Sequence, residues 1–287
     1  MIQTAAIQRK ARNIIFTSSR FAKGLFSGFY RSVFRGSGLE IEEVRPYQEG
    51  DDIKNIDWRV TARSGSPHTK RFREERELPV FIVFDVSTSM NFGTCGGRKR
   101  EAAAIAAAAL AYAAVYNSDR VGALLFSQKV EKWIAPGRGT VHAASCVKQF
   151  LEYTAELQGS DINNALQSLH TAAVRRGICF LLSDFKVSLD PFLLWRLKKR
   201  QDVVALRIID PAEIQVPGTE VKGWRYMPLK DLETKRTVPV FGGGDLHEYY
   251  RKQAEDFRRN GIDFVDLYTD QDPLKTLYLF FKRRVRR

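Results

Sequence analysis

Cysteine is scarce in this 287-residue sequence: Cys95, Cys146 and Cys179 are an odd count with no paired spacing. That excludes a disulfide framework and reads as free thiols in a reducing compartment, with Cys146 and Cys179 in apolar, core-like surroundings. Long apolar runs are also missing. The longest weakly polar stretch, Ala102 to Tyr116, is mostly alanine and falls short of the roughly 20 strongly apolar residues a membrane span needs. The amino-terminal thirty residues have neither the apolar core nor the small-residue cleavage site of a secretory signal. The expectation is a cytoplasmic protein with no transmembrane segment. The four histidines, His68, His142, His170 and His247, lie far apart and form no metal-protease spacing. No GxSxG elbow or Cys/His pair marks a nucleophile. Gly242-Gly243-Gly244 sits in neither a GxxxxGK[ST] nor a GxGxxG pattern, so the chain has no visible means of hydrolysing ATP. The expectation is that it is not an enzyme.

Acidic residues are absent from positions 1–36, where Arg9, Lys10, Arg12, Arg20, Lys23, Arg31 and Arg35 stand, and the chain ends in KRRVRR. With 46 Lys and Arg against 33 Asp and Glu, the net charge is +13 and is concentrated at the ends. Basic ends can contact nucleic acid, anionic lipid or an acidic protein, or can simply be solvated. A nucleic-acid-binding protein is therefore one alternative reading, and peripheral membrane contact is another use of the same charge.

A hydrophobic content of 44% is enough for one good core plus an appended segment, or for two modest domains. Positions 3–34 place Ile14, Ile15, Phe21, Leu25, Phe26 and Phe29 at near-helical spacing. A glycine-led stretch follows, with a short strand near Leu39–Val44 and a turn at Gly50-Asp51-Asp52. At Leu78 the character changes. LPVFIVFDVS, RVGALLFS (120–127), GICFLLSDF (177–185), DVVALRIID (202–210) and IDFVDLYT (262–269) read as strands, the most apolar of them buried on both faces. VEKWIAP (130–136) reads as an antiparallel edge strand. Helical patterns at about 98–116, 140–157, 162–175, 190–200 and 272–284 alternate with the strands. The pattern predicts an α/β fold with a doubly wound, mostly parallel sheet over 78–287. An amino-terminal helical and charged segment over 1–77 precedes it, and a small β insertion falls at about 211–243. Within the charged segment, the dense patch around Glu42, Arg45, Asp51, Asp57 and Trp58 reads either as a salt-bridged wrap with Trp58 as a buried anchor or as a partner surface.

In an open α/β sheet, ligands collect at the carboxyl ends of the strands where the strand order reverses. Three features project there: Asp85-Val86-Ser87-Thr88-Ser89, Gly159-Ser160-Asp161 and Ser183-Asp184. Together they offer carboxylates and hydroxyls, all hard oxygen donors suited to Mg2+ or Mn2+. Carboxylates that stay ionised without a lysine partner are expected beside a cation. The bland reading gives these residues to loop and helix capping. A metal-dependent phosphoesterase built on Asp85 and Asp184 is a third reading, short of the acidic and histidine residues that paired-metal sites use.

DVSTSM after an apolar strand resembles the DxSxS element of the metal-ion-dependent adhesion site of von Willebrand factor A domains. Ser160 falls where that family's third element usually has threonine, and Asp184 falls on the fourth. Upstream, GLEIEEVRPYQEGDDIKNIDWRVTARSGSPHTKRFREERELPVFIVFDVSTSM resembles the bacterial family called domain of unknown function 58, and the likeness continues through RVGALLFS, LLSDF and the IIDPAE segment. The resemblance implies a metal-dependent protein-binding module that works with MoxR-type AAA+ ATPases or their clients. In such sites a partner's carboxylate completes the metal shell. By that likeness Asp85, Ser87 and Ser89 lie in or near the shell, Ser160 ligates directly, and Asp184 acts directly or through water.

Overall fold

The apolar runs become the strands of one twisted sheet because each can bury both faces only between layers of helix. The computed structural model describes residues 2–35, 41–72, 78–94, 98–157, 159–172, 176–214, 227–230, 237–240 and 244–286. They fall into two compact units: residues 1–33 with 78–287, and residues 34–77.

In chain order, the first unit begins with helices α1 (Ile2–Phe21) and α2 (Ser27–Arg35). The smaller unit holds β1 (Ile41–Pro46), α3 (Trp58–Ser64) and β2 (His68–Phe72). The first unit resumes with β3 (Pro79–Asp85), α4 (Lys99–Tyr116), β4 (Arg120–Phe126), β5 (Val130–Gly137), α5 (Gly139–Glu152) and α6 (Ile162–Thr171). It continues through β6 (Gly177–Ser183), α7 (Pro191–Lys198), β7 (Gln201–Ile209), α8 (Pro211–Ile214), β8 (Met227–Lys230) and β9 (Thr237–Val240). Helix α9 (Gly244–Arg259), β10 (Asp263–Tyr268) and α10 (Pro273–Val285) complete it.

The main sheet has the order β10-β7-β6-β3-β4-β5, parallel throughout except for the antiparallel edge strand β5. The predicted α/β class, the parallel strands and the antiparallel edge are all present. The chain leaves β3 toward β4 on one side and later returns to β6 on the other. The strand order thus reverses around β3, and the carboxyl ends of β3 and β6 flank the crevice.

Helix α4 is the crossover between β3 and β4, and its run of alanines is buried on almost every side. Small side chains let it lie close on the sheet and still accept neighbours on its outer face. Those neighbours include α1 and α5: Ile14, Ala108 and Val147 form one apolar cluster. Ser18 donates to the carbonyl of Ile105, Tyr30 donates to Asp119, and Phe26 meets Phe281 of α10 edge-on. The expected single segment over 1–77 is therefore divided. Its helical part is a layer of the α/β unit, because α4 would otherwise leave an apolar face in water.

In the smaller unit, β1 and β2 pair antiparallel, with Val44 opposite Lys70. Three of its aspartates are engaged by local backbone amides. Asp57 accepts from the amides of Arg59 and Val60 at the start of α3, Asp52 accepts from Lys54, and Asp51 accepts from Gln48 and from Arg45. Trp58 is 68% exposed, so the reading of it as a buried anchor is corrected. It stands at the first position of the seven-residue helix α3, whose start is capped by Asp57, and its indole stays largely exposed.

The expected insertion contains the antiparallel pair β8–β9, with Met227 opposite Val240. The rest of 211–243 beyond α8 and this pair lies outside the described residues, as do Cys95 and the glycines Gly242 and Gly243.

Candidate functional site

All three oxygen-bearing loops meet at the rim flanking β3 and β6. Asp85, the last residue of β3, is fully buried. One of its oxygens, Oδ1, accepts from the Ser87 amide at 2.8 Å, an Asx-type turn that sends the chain inward. The other, Oδ2, accepts from the Ser183 hydroxyl at 2.6 Å and the Ser160 hydroxyl at 3.0 Å. Ser87 and Ser89 lie with hydroxyl oxygens 3.1 Å apart, and Ser89 hydrogen-bonds Asp184. Asp85, Ser87, Ser89, Ser160 and Asp184 thus converge, although Asp85 and Asp184 are separated by about a hundred positions of chain.

Local backbone explains each placement. Ser160 follows Gly159, whose φ of +102° is a conformation that favours glycine. Asp161 then caps α6 through the Asn164 amide, and its own amide donates to the Ser127 carbonyl. The capping task falls to Asp161, which leaves the Ser160 hydroxyl for Asp85. Ser87 precedes the short helical turn Thr88–Asn91 and makes no side-chain capping bond there. Capping alone therefore accounts for Asp161 and for one oxygen of Asp85. It does not account for Ser87, Ser89 or Ser160.

Past Asp184, Phe185 takes a left-handed φ of 50°, unusual for an aromatic residue. Its amide donates to Ser183 Oγ, and its carbonyl accepts from Tyr249 and Gln253 of α9. This strained turn is over-determined by its hydrogen bonds, as such residues must be to persist. It fixes Ser183 and Asp184 side by side.

One expectation fails at Asp184. A lysine does stand beside it: Lys99 Nζ, 0% exposed, donates to Asp184 Oδ2 at 2.6 Å and to Glu213 Oε1 at 2.8 Å. Lys186 reaches the same Glu213 oxygen at 2.9 Å. Helix α4 carries Lys99 in from one side and α8 carries Glu213 from another, so chain separation hid the contact. A signal was nevertheless present. Arg98, Lys99 and Arg100 crowd the amino end of α4, where the helix dipole disfavours positive charge. Such an arrangement needs a carboxylate nearby.

Electrostatics separate the two aspartates. Burial, and then the negative charge of Asp184, raise the Asp85 carboxyl to about 6, against the pull of hydrogen bonds from Ser183 and Ser87. Burial also works to raise Asp184, but the attraction of Lys99, and next Lys186, holds it below the usual carboxylate range. Lys99 is in turn raised, because Asp184 and Glu213 outweigh its burial. Arg100 acts on Asp85 only at a distance, since its guanidinium is turned to the carbonyls of Phe150 and Tyr153. Asp85 has no lysine or arginine salt bridge among the described residues.

The donor set fits a hard cation in kind. Hydroxyl protons committed to the carboxylates leave lone pairs free on the oxygens of Ser87, Ser89 and Ser160, and oxygen-only sets suit magnesium and manganese. No group of three or more His, Cys, Asp or Glu that could hold a metal occurs among the described residues. The set is therefore hydroxyl-rich and carries little charge. Elsewhere, Cys146 and Cys179 are free and buried, as expected. Some of the basic surplus is already paired: Lys10 with Glu101, and Arg284 with Asp202 and Asp263. No described helix is long and apolar enough to cross a membrane.

Comparison with known proteins follows the fold. The structure of the conserved hypothetical protein BatB from Bacteroides thetaiotaomicron aligns with a TM-score of 0.50 at 14% identity, covering 73% of this chain and 100% of that one. A von Willebrand factor type A structure from Catenulispora acidiphila aligns with a TM-score of 0.39 at 12% identity, over 76% of this chain and 43% of that one. In sequence, uncharacterized proteins of Mycobacterium tuberculosis and Mycobacterium bovis are 30% identical over 96% of this chain and 89% of their own length. The family model described as "Protein of unknown function DUF58" matches residues 43–259, and the chain belongs to that family.

Proposed function

We propose that this chain is a non-enzymatic, protein-binding adaptor whose strand-end cluster holds a divalent cation for an acidic residue of a partner. The supporting observation is the double hydroxyl donation, from Ser160 and Ser183, to a fully buried Asp85 that has no salt-bridge partner among the described residues. Burying an ionised carboxylate is costly unless something repays it. A cation seated among Asp85, Ser87, Ser89 and Ser160 would do so, with Asp184 adjoining. When bound, it would supply an open coordination position for a carboxylate oxygen. The chain's own part is to orient the hydroxyls, through Gly159, the Asx turn at Asp85 and the strained turn at Phe185, and to keep bulk water from Asp85. The likeness to domain of unknown function 58 proteins supports a MoxR-type AAA+ ATPase, or a client it remodels, as the partner. Mg2+ and Mn2+ both suit the donors.

The test is capture of the ATPase from the native cell on the full-length chain. Capture should fail in EDTA and should fail with Ser87→Ala plus Ser89→Ala. An undiminished yield in both arms would overturn the proposal. Loss with rising salt but not with EDTA would point instead to the basic ends.

A further inference from the structure

Lys99 has no task in the function proposed above, yet it is the most deeply buried ammonium among the described residues. Its amine touches two carboxylates, its backbone amide donates to the Phe92 carbonyl, and the Phe92 ring lies 5.9 Å from Nζ. A buried lysine at a helix amino terminus is doubly unfavourable, from desolvation and from the dipole. What repays it is Asp184, a member of the candidate site.

We propose that Lys99 is a positioning residue that keeps the cation-free site close to neutral, so that a divalent cation alone is held weakly and gains its hold when an anionic partner joins it. This rests on the strand-end cluster being the cation site. Asp184 and Glu213 are paired with the ammoniums of Lys99 and Lys186, while Asp85 beside Asp184 has only the more distant charge of Arg100. At most about one negative charge is left for an incoming ion. A divalent ion would therefore turn the site net positive, and an anionic side chain would then restore balance. Without Lys99, Asp184 would present its full charge to the ion, and the ion would need no partner. The same ammonium also holds Asp184 by a direct hydrogen bond, which fixes where the Ser89 hydroxyl proton points.

The experiment is titration of Mn2+ alone into the full-length chain, followed by calorimetry and by the electron paramagnetic resonance signal of free Mn2+. Lys99→Met should bind Mn2+ at least ~tenfold tighter than the native chain, because a unit positive charge beside the ion is removed. Lys99→Arg should keep the native affinity, and Asp85→Ala should bind none. A gain in affinity is a readout that mere loss of structure does not produce. If Lys99→Met is poorly folded, Lys99→Gln keeps a hydrogen-bond donor beside Asp184 without the charge, and the same gain is expected. A folded Lys99→Met chain with native or weaker affinity, while Asp85→Ala abolishes binding, overturns the role of Lys99 and leaves the cation site standing. No Mn2+ binding by the folded native chain or by either Lys99 variant overturns the cation site itself.

Discussion

Asp85 and Asp184 stand at the ends of neighbouring strands of one sheet, both almost without exposure, and their surroundings are opposite in kind. Around Asp184 the protein has brought a lysine, which in turn holds Glu213 and through it Lys186. Around Asp85 the hydrogen-bond partners among the described residues are hydroxyls and an amide. A buried ion pair meets its desolvation cost by Coulomb attraction, whereas a carboxylate among hydroxyls stays short of charge compensation. The first arrangement reads as architecture. The second is where the proposed cation would sit.

The largest expected effect lies on the lysine side. Lys99→Ala leaves two carboxylates buried beside an empty volume, and it should cost about 3–5 kcal/mol of unfolding free energy in urea titrations. A loss below about 1 kcal/mol would mean that the Asp184 end is solvated and the contrast unreal.

Next in size, Asp85→Asn should have the opposite sign and stabilise the cation-free protein by on the order of 2 kcal/mol at pH 7. The folded-state value of about 6 lies above the ordinary 3.8, so the folded protein binds more protons between those limits. Native stability therefore falls as pH climbs from about 4 to about 6 and is level above. Asparagine lacks that slope. Melting temperatures recorded from pH 4 to 8 should show the variant's advantage shrinking toward pH 4, and parallel profiles would refute it. Asp184, held below its ordinary value by Lys99, loses its contribution only at still lower pH, so the two windows do not overlap.

The smallest effect belongs to Lys186, whose side chain is 39% exposed. Lys186→Ala should cost under about 1 kcal/mol, and the difference should fade in high salt. A larger, salt-resistant loss would make Lys186 an equal member of the buried network.

Much of this arrangement is readable along the chain. The apolar runs ending in Asp85 and Ser183 announce strands whose ends share a rim, and Asp-x-Ser-x-Ser together with Gly159-Ser160 announces the oxygen donors. Local rules apply there because strands, Asx turns and glycine turns are decided within a few residues. Along the chain Lys99 does not announce itself as part of the site, even though three basic residues at a helix start conflict with its dipole. Its partners Asp184 and Glu213 lie 85 and 114 positions away. The spacing at the amino terminus shows helices but not that they form a layer of the α/β unit, because amphipathic spacing names a face without naming what covers it. Trp58 runs against the general tendency of aromatic residues to be buried, because it opens a capped short helix that leaves it outside.

The sequence by itself determined the α/β class, the parallel sheet with its antiparallel edge, and the identity of the oxygen donors, since these follow from periodicity and short-range chemistry. Only the tertiary structure decided which carboxylate is neutralised and which is left to hydroxyls. That choice depends on where a buried ammonium comes to rest, and desolvation and Coulomb forces act through space, indifferent to distance along the chain.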